Sequence, residues 1–167
     1  METKNKTSEF VISRTYPVSK EKLWKAFTDS KEMAKWWGPK GVVITHSKMD
    51  LRPGGMYLYA MKAPNGNEWW GRMVYREIVP AEKIFFVNSF SDPKGGLAKH
   101  PMNPKWPKEL LSTFSFKGDA KQAIFTVHWT PLNPTAEELA SFEAGHDSMT
   151  GGWTGTLDQL GSYLSKC

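Results

Sequence analysis

The stretch His146-Asp-Ser-Met-Thr-Gly-Gly-Trp-Thr-Gly-Thr-Leu-Asp-Gln-Leu-Gly-Ser-Tyr-Leu164 decides how the chain reads. Its large apolar residues, Met149, Trp153, Leu157, Leu160 and Leu164, recur at intervals of four, four, three and four. That is the period of a helix with one buried stripe. Thr150, Thr154, Asp158 and Ser162 fall between them and suit an outer face. Gly151, Gly152, Gly155 and Gly161 interrupt the same segment, each weakening a helix interior by about 1 kcal/mol relative to alanine. Two readings account for these weak points. Either a curved sheet or a ligand approaches the backbone there, or the segment is a plain terminal helix closing a core. In both, the helix plugs the fold.

Upstream, Glu9–Tyr16 is rich in β-branched and aromatic residues, stops at Pro17 and reads as a strand. Ser19 can cap a helix over Lys20–Thr28, and a second short helix over Lys31–Trp37 ends at Gly38-Pro39. Strands are expected at Val42–Leu51, Met56–Lys62, Glu68–Val79 and Lys83–Ser91. The turns between them are Arg52-Pro-Gly-Gly55, Pro64-Asn-Gly-Asn67 and Pro80-Ala-Glu82. Asp92–Lys108 breaks this rhythm with Pro93, Pro101, Pro104, Pro107 and the pair Gly95-Gly96, and a connection of that kind reads as a lid or binding loop. Leu110–Phe116 and Lys121–Thr130 follow as strands, and Thr135-Ala-Glu-Glu138 is a capping-box pattern for a short helix through Phe142. The order is one strand, two helices, six strands and the terminal helix. Short turns make the sheet antiparallel. Seven strands exceed what one helix covers if they lie flat, so the sheet must curl and leave a cavity beside the plug.

Length and composition fit one α+β domain over residues 1–167 with a core of its own. The 8 Trp, 9 Phe and 5 Tyr point to a wide apolar interior or cleft. The net charge of +5 comes from 22 basic and 17 acidic residues, but the lysines are scattered and the arginines are only Arg14, Arg52, Arg72 and Arg76. A solvated basic surface is therefore expected rather than a nucleic-acid interface. The lone cysteine, Cys167, excludes an internal disulfide and suits a reducing cytosol. Neither a signal peptide nor a run of about eighteen apolar residues occurs, so a cytoplasmic location without a membrane span is expected.

Strand alternation selects the cavity wall. In the last strand Ala123, Phe125, Val127 and Trp129 form the apolar face, and by the same test Phe114 and Phe116 point inward. Ile84, Phe86, Asn88 and Phe90 share an inner face, while Trp69, Gly71, Met73 and Tyr75 are preferred over the arginine-bearing face of their strand. With Trp37, Met149, Trp153 and Leu157 from the helical segments, these supply the candidate cavity residues. Asn88, Tyr75 and Arg72 are the polar candidates for orienting a ligand, or for a purely structural role. Trp36, Trp37, Trp69, Trp70, Trp106, Trp129 and Trp153 read as core, with a few at a cavity mouth. His46, His100, His128 and His146 lack metal-ligand spacing, and Gly-x-Ser-x-Gly, Walker and Gly-x-Gly-x-x-Gly patterns do not occur. No metal, cofactor or catalytic residue is expected.

Trp36-Trp-Gly-Pro39, Asp50-Leu-Arg-Pro-Gly-Gly55, Pro64-Asn-Gly66, Arg76-Glu-Ile-Val-Pro80 and Gly152-Trp-Thr-Gly-Thr-Leu157, in that order, make the chain similar to one family. It resembles the activator-of-Hsp90-ATPase-1-like group of the START-like, or SRPBCC, superfamily from about Phe10 to Leu164. The resemblance implies a helix-grip fold: a curved seven-stranded antiparallel sheet around a long C-terminal helix, with two short helices between the first two strands. It also implies a deep apolar cavity used across the superfamily for lipids, polyketides and other hydrophobic molecules. In the eukaryotic co-chaperone a separate N-terminal domain carries much of the Hsp90 contact, whereas only a few residues precede the first strand here. The expected function is non-catalytic binding of a hydrophobic small molecule, by a monomer or homodimer. The alternatives are a stress-response or Hsp90-type chaperone partner, and a cyclase- or hydrolase-type enzyme using the same cavity.

Overall fold

In the computed structural model, which describes residues 8–100 and 103–166, the long C-terminal helix α4 (His146–Ser165) lies against a curved antiparallel sheet. Met149, Trp153, Leu157, Leu160 and Leu164 are all buried, so the stripe is the packing face. The chain enters through β1 (Phe10–Tyr16), α1 (Lys20–Thr28) and α2 (Ser30–Trp36). The meander β2 (Val43–Met49), β3 (Met56–Lys62), β4 (Glu68–Val79) and β5 (Lys83–Ser91) follows. A two-residue strand β6 (Leu97–Ala98), then β7 (Leu110–Gly118), β8 (Ala123–Pro131) and α3 (Ala136–Ala144), leads to α4. The strand order is β1-β8-β7-β5-β4-β3-β2, and β6 pairs with the end of β5. Every pairing is antiparallel.

Local chemistry sets the helix starts. The Ser19 hydroxyl accepts the Lys22 N–H at 3.1 Å, and the Asp29 carboxylate accepts the Lys31 N–H at 2.9 Å. Thr135 and Glu138 form the reciprocal capping box of α3, with both bonds within 3.1 Å. Alternation holds along β4, where Gly71, Met73 and Tyr75 are buried and Arg72 and Val74 are not. The inner face is therefore the one without arginine. Arg72 serves the other side: its guanidinium donates to Ser89 Oγ at 3.1 Å and to the Gly95 carbonyl at 2.8 Å.

Two local features depart from the sequence reading. The connection 92–108 is not irregular throughout but opens as a hairpin. Asp92 Oδ1 accepts the N–H groups of Lys94 (2.7 Å) and Gly96 (2.9 Å), and β6 then pairs back on β5. A two-residue strand carries no periodicity of its own and exists only through its partner. The α4 glycines divide as well. A Cβ on Gly155 or Gly161 would meet Lys40 (3.5 Å) or Tyr16 (3.3 Å), whereas a Cβ on Gly151 or Gly152 would meet nothing within 4 Å. The sheet therefore does not press on the first pair. Cys167 lies outside the described residues.

Candidate ligand cavity

Between the sheet and the first half of α4 is a half-enclosed cavity of about 570 Å³. Aromatic side chains build its deep end. Trp153, on α4, has its ring centroid 5.6 Å from those of Trp37 and Trp129 and 5.9 Å from Phe114, mostly edge to face. Trp37 reaches this position because its neighbour turns away. Trp36 packs on Phe27 and donates its indole N–H to the Ala26 carbonyl at 3.0 Å. The loop after α2 is fastened to α4 by Gln159, whose Nε2 donates to the Gly38 carbonyl at 2.7 Å. Trp37, Gly38 and Pro39 therefore form one wall as a unit with the helix.

The opposite wall comes from β3, β4 and β5. Tyr59 lies across the Gly71 position of the neighbouring strand, where a Cβ would fall 2.4 Å from its hydroxyl. Only glycine leaves that space, so Gly71 is what lets the phenol lie flat on the sheet. Burial pushes the Tyr59 hydroxyl up to about 12, so it stays neutral. The Trp37 indole N–H lies beside it and moderates that rise, yet the geometry falls short of a hydrogen bond.

The mouth is made by the second half of the 92–108 connection and by α3. Asn103 Nδ2 donates to Ser141 Oγ at 3.0 Å, and the Trp106 ring centroid lies 5.7 Å from that of Phe142. His100 sits 4.7 Å from the Phe90 ring, and its Nδ1 accepts the Asn103 N–H at 3.1 Å. Burial holds the His100 pKa below the ordinary imidazole value. Among the described residues lining the cavity there is no Asp, Glu, Lys or Arg. Proton transfer there would fall to His100 or a high-pKa tyrosine.

Of the residues expected at the cavity, Trp37, Met73, Phe86, Asn88, Phe90, Phe114, Trp129, Met149 and Trp153 line it. Tyr75, Phe116, Phe125, Val127 and Leu157 do not; they are buried in the packed interior. Phe27 explains two of these five, Phe116 and Phe125. Its ring lies within 5.2 Å of Phe114, Phe116 and Phe125 and fills the space between sheet and helix at that end. Tyr16, donating to the Leu157 carbonyl at 2.8 Å, closes the same end. Burial raises the Tyr75 hydroxyl far above its usual value, and its ring packs near Phe86. It does not face the cavity. His100, Asn103, Tyr59 and Gly152 are lining residues that the sequence reading did not select.

Among curated proteins no sequence matches this one. Solved structures share its fold. A protein from Arthrobacter aurescens superposes with a TM-score of 0.79 at 20% identity, over 99% of this chain and 91% of that one. One from Nitrosomonas europaea gives 0.72 at 22% identity, over 95% and 94%. The AHSA1 protein of Silicibacter pomeroyi gives 0.71 at 18% identity, over 94% and 97%. Residues 17–165 match the family described as "Activator of Hsp90 ATPase homolog 1-like protein", and the chain belongs to that family, with its START-like fold.

Proposed function

We propose that the protein binds an uncharged hydrophobic small molecule between the sheet and the first half of α4. The observation that carries this reading is a cavity of about 570 Å³ walled by Trp37, Phe86, Phe114, Trp129, Met149 and Trp153 and free of charged side chains among its described lining residues. A ligand burying about 200 Å² of apolar surface there gains roughly 5 kcal/mol from dehydration alone. The entropy of association offsets part of that gain. Binding of this kind requires no cofactor and no catalytic group.

The chaperone-partner reading has less support. Among the described residues the exposed large apolar ones, Val11, Val43, Leu97 and Ile124, lie on β1, β2, β6 and β8, toward both ends of the sheet order and at its short appended strand. Val11 and Ile124 share a face at the β1–β8 edge, but Val43 lies at the far end of the sheet order and Leu97 on the appended strand, so the four are spread across the sheet. The binding reading is tested with the uncharged fluorophore N-phenyl-1-naphthylamine. Saturable enhancement is expected for the parent and at least tenfold weaker binding for Gly152→Leu, which projects a side chain into open cavity space. No enhancement, or equal affinity in both proteins, would remove the cavity as the site. Native mass spectrometry of the protein purified from its own host would identify a retained ligand.

A further inference from the structure

Several polar groups of the cavity wall are already engaged within the protein, and among those left open are donors. Asn103 Oδ1 accepts the Lys105 N–H at 3.0 Å, and His100 Nδ1 accepts the Asn103 N–H at 3.1 Å. Ser141 Oγ accepts from Asn103 Nδ2 at 3.0 Å. The Thr156 hydroxyl is turned back onto the Gly152 carbonyl at 2.9 Å. Against these stand the indole N–H groups of Trp37 and Trp129, buried in the wall without a partner. Indole nitrogen can only donate.

Asn88 is the decisive member of the set. It faces the cavity from β5, and its Oδ1 accepts the hydroxyl of Ser112 on the adjacent strand β7. Ser112 is fully buried, and this is the bond that satisfies its O–H. Turning the amide over would leave that proton without an acceptor in a dry interior, which is strongly disfavoured. The Asn88 amide is therefore fixed with its NH₂ as the group available to a ligand.

We infer that the cavity takes an uncharged apolar molecule bearing a carbonyl oxygen, with Asn88 Nδ2 as the donor that receives it and Ser112 as the residue that fixes its orientation. This rests on the binding function proposed above and narrows its ligand class. A carbonyl accepts without bringing a proton of its own. A hydroxyl of the same size brings an O–H that Asn88, held as a donor by Ser112, cannot accept, and an unpaired polar group discriminates strongly in such a site.

The test uses the full-length protein and three ligands of one shape, 9-fluorenone, 9-fluorenol and fluorene, followed by quenching of tryptophan fluorescence. Fluorenone is expected to bind about tenfold more tightly than fluorene, and more tightly than fluorenol. In Asn88→Leu combined with Ser112→Ala, which leaves no buried hydroxyl unpaired, the ketone-to-hydrocarbon ratio should fall to about one. Ser112→Ala alone frees the amide to turn over, so the ketone-to-alcohol ratio should narrow. An unchanged ratio would make Ser112 a packing residue only and overturn its assigned role. Equal affinity of the parent for fluorenone and fluorene, or a ratio that survives in the double variant, overturns the carbonyl inference and leaves the broader binding function intact. If none of the three binds, the inference falls, and the naphthylamine titration shows whether the binding function falls with it.

Discussion

The two halves of α4 face opposite kinds of interior. From Leu157 to Leu164 the helix presses on Tyr16, and the neighbouring Phe27, Phe116 and Phe125 rings leave no room between sheet and helix. From Met149 to Trp153 the same apolar stripe borders open space. The period and the residue types are alike in both halves. What differs is how far another element fills the space: α1 delivers Phe27 into the middle of one end, whereas Trp37 stands against Trp153 at the other and leaves a cavity beside them. A hydrophobic stripe thus records where a helix meets an interior, and not whether that interior is full.

The largest expected effect tests the filled half. Phe27→Ala should lower stability by about 3–5 kcal/mol in urea unfolding, because it empties the space among four rings. A loss under about 1 kcal/mol would mean that this end is not packed as described. Gly71→Ala comes next, at about 1–3 kcal/mol, since its Cβ must displace the Tyr59 phenol. Naphthylamine affinity should fall together with stability in that variant.

The hollow half predicts gains. Gly152→Ala and Gly151→Ala should each raise stability by up to about 1 kcal/mol, because a methyl group there meets no neighbour and suits the helix better. Loss of stability in either variant would mean that the backbone there is approached after all. His100 contributes a pH dependence. Its pKa is depressed in the folded state, so the unfolded chain takes up the proton first as the pH falls. Stability from this group is complete above the ordinary imidazole value near 6.5 and declines from there down to the folded-state pKa, below which it levels off. His100→Gln should flatten that part of the stability profile. The smallest effect is Lys105→Ala, whose exposed pairing with Glu137 at 3.7 Å should matter by a few tenths of a kcal/mol, with naphthylamine binding unchanged.

The readily legible features were local ones. Ser19 and Thr135 announce their helices because a cap is a short-range hydrogen bond, and the alternation of Ala123 to Trp129 fixes which face of β8 looks inward. Alternation has no information about position along the helix above, which is why it groups Phe125 and Val127 with Trp129 although only Trp129 reaches the cavity. His100 and Asn103 escaped for a different reason. They lie in a proline-broken connection whose course depends on Trp106 and Asn103 docking on α3, a contact between segments remote in sequence. The Asn88–Ser112 pair was half visible: Asn88 stood out as an amide on an apolar face, but its partner required the register of β5 against β7.

The bare backbone at Gly152 also bears on how such a protein diversifies. Its codon lies one nucleotide away from codons for alanine and valine, so successive enlargements at a single helical position can shrink the chamber in small steps. Because a Cβ there meets nothing within 4 Å beyond its own helix, the first step leaves the surrounding architecture undisturbed. One scaffold can thereby carry chambers of graded size.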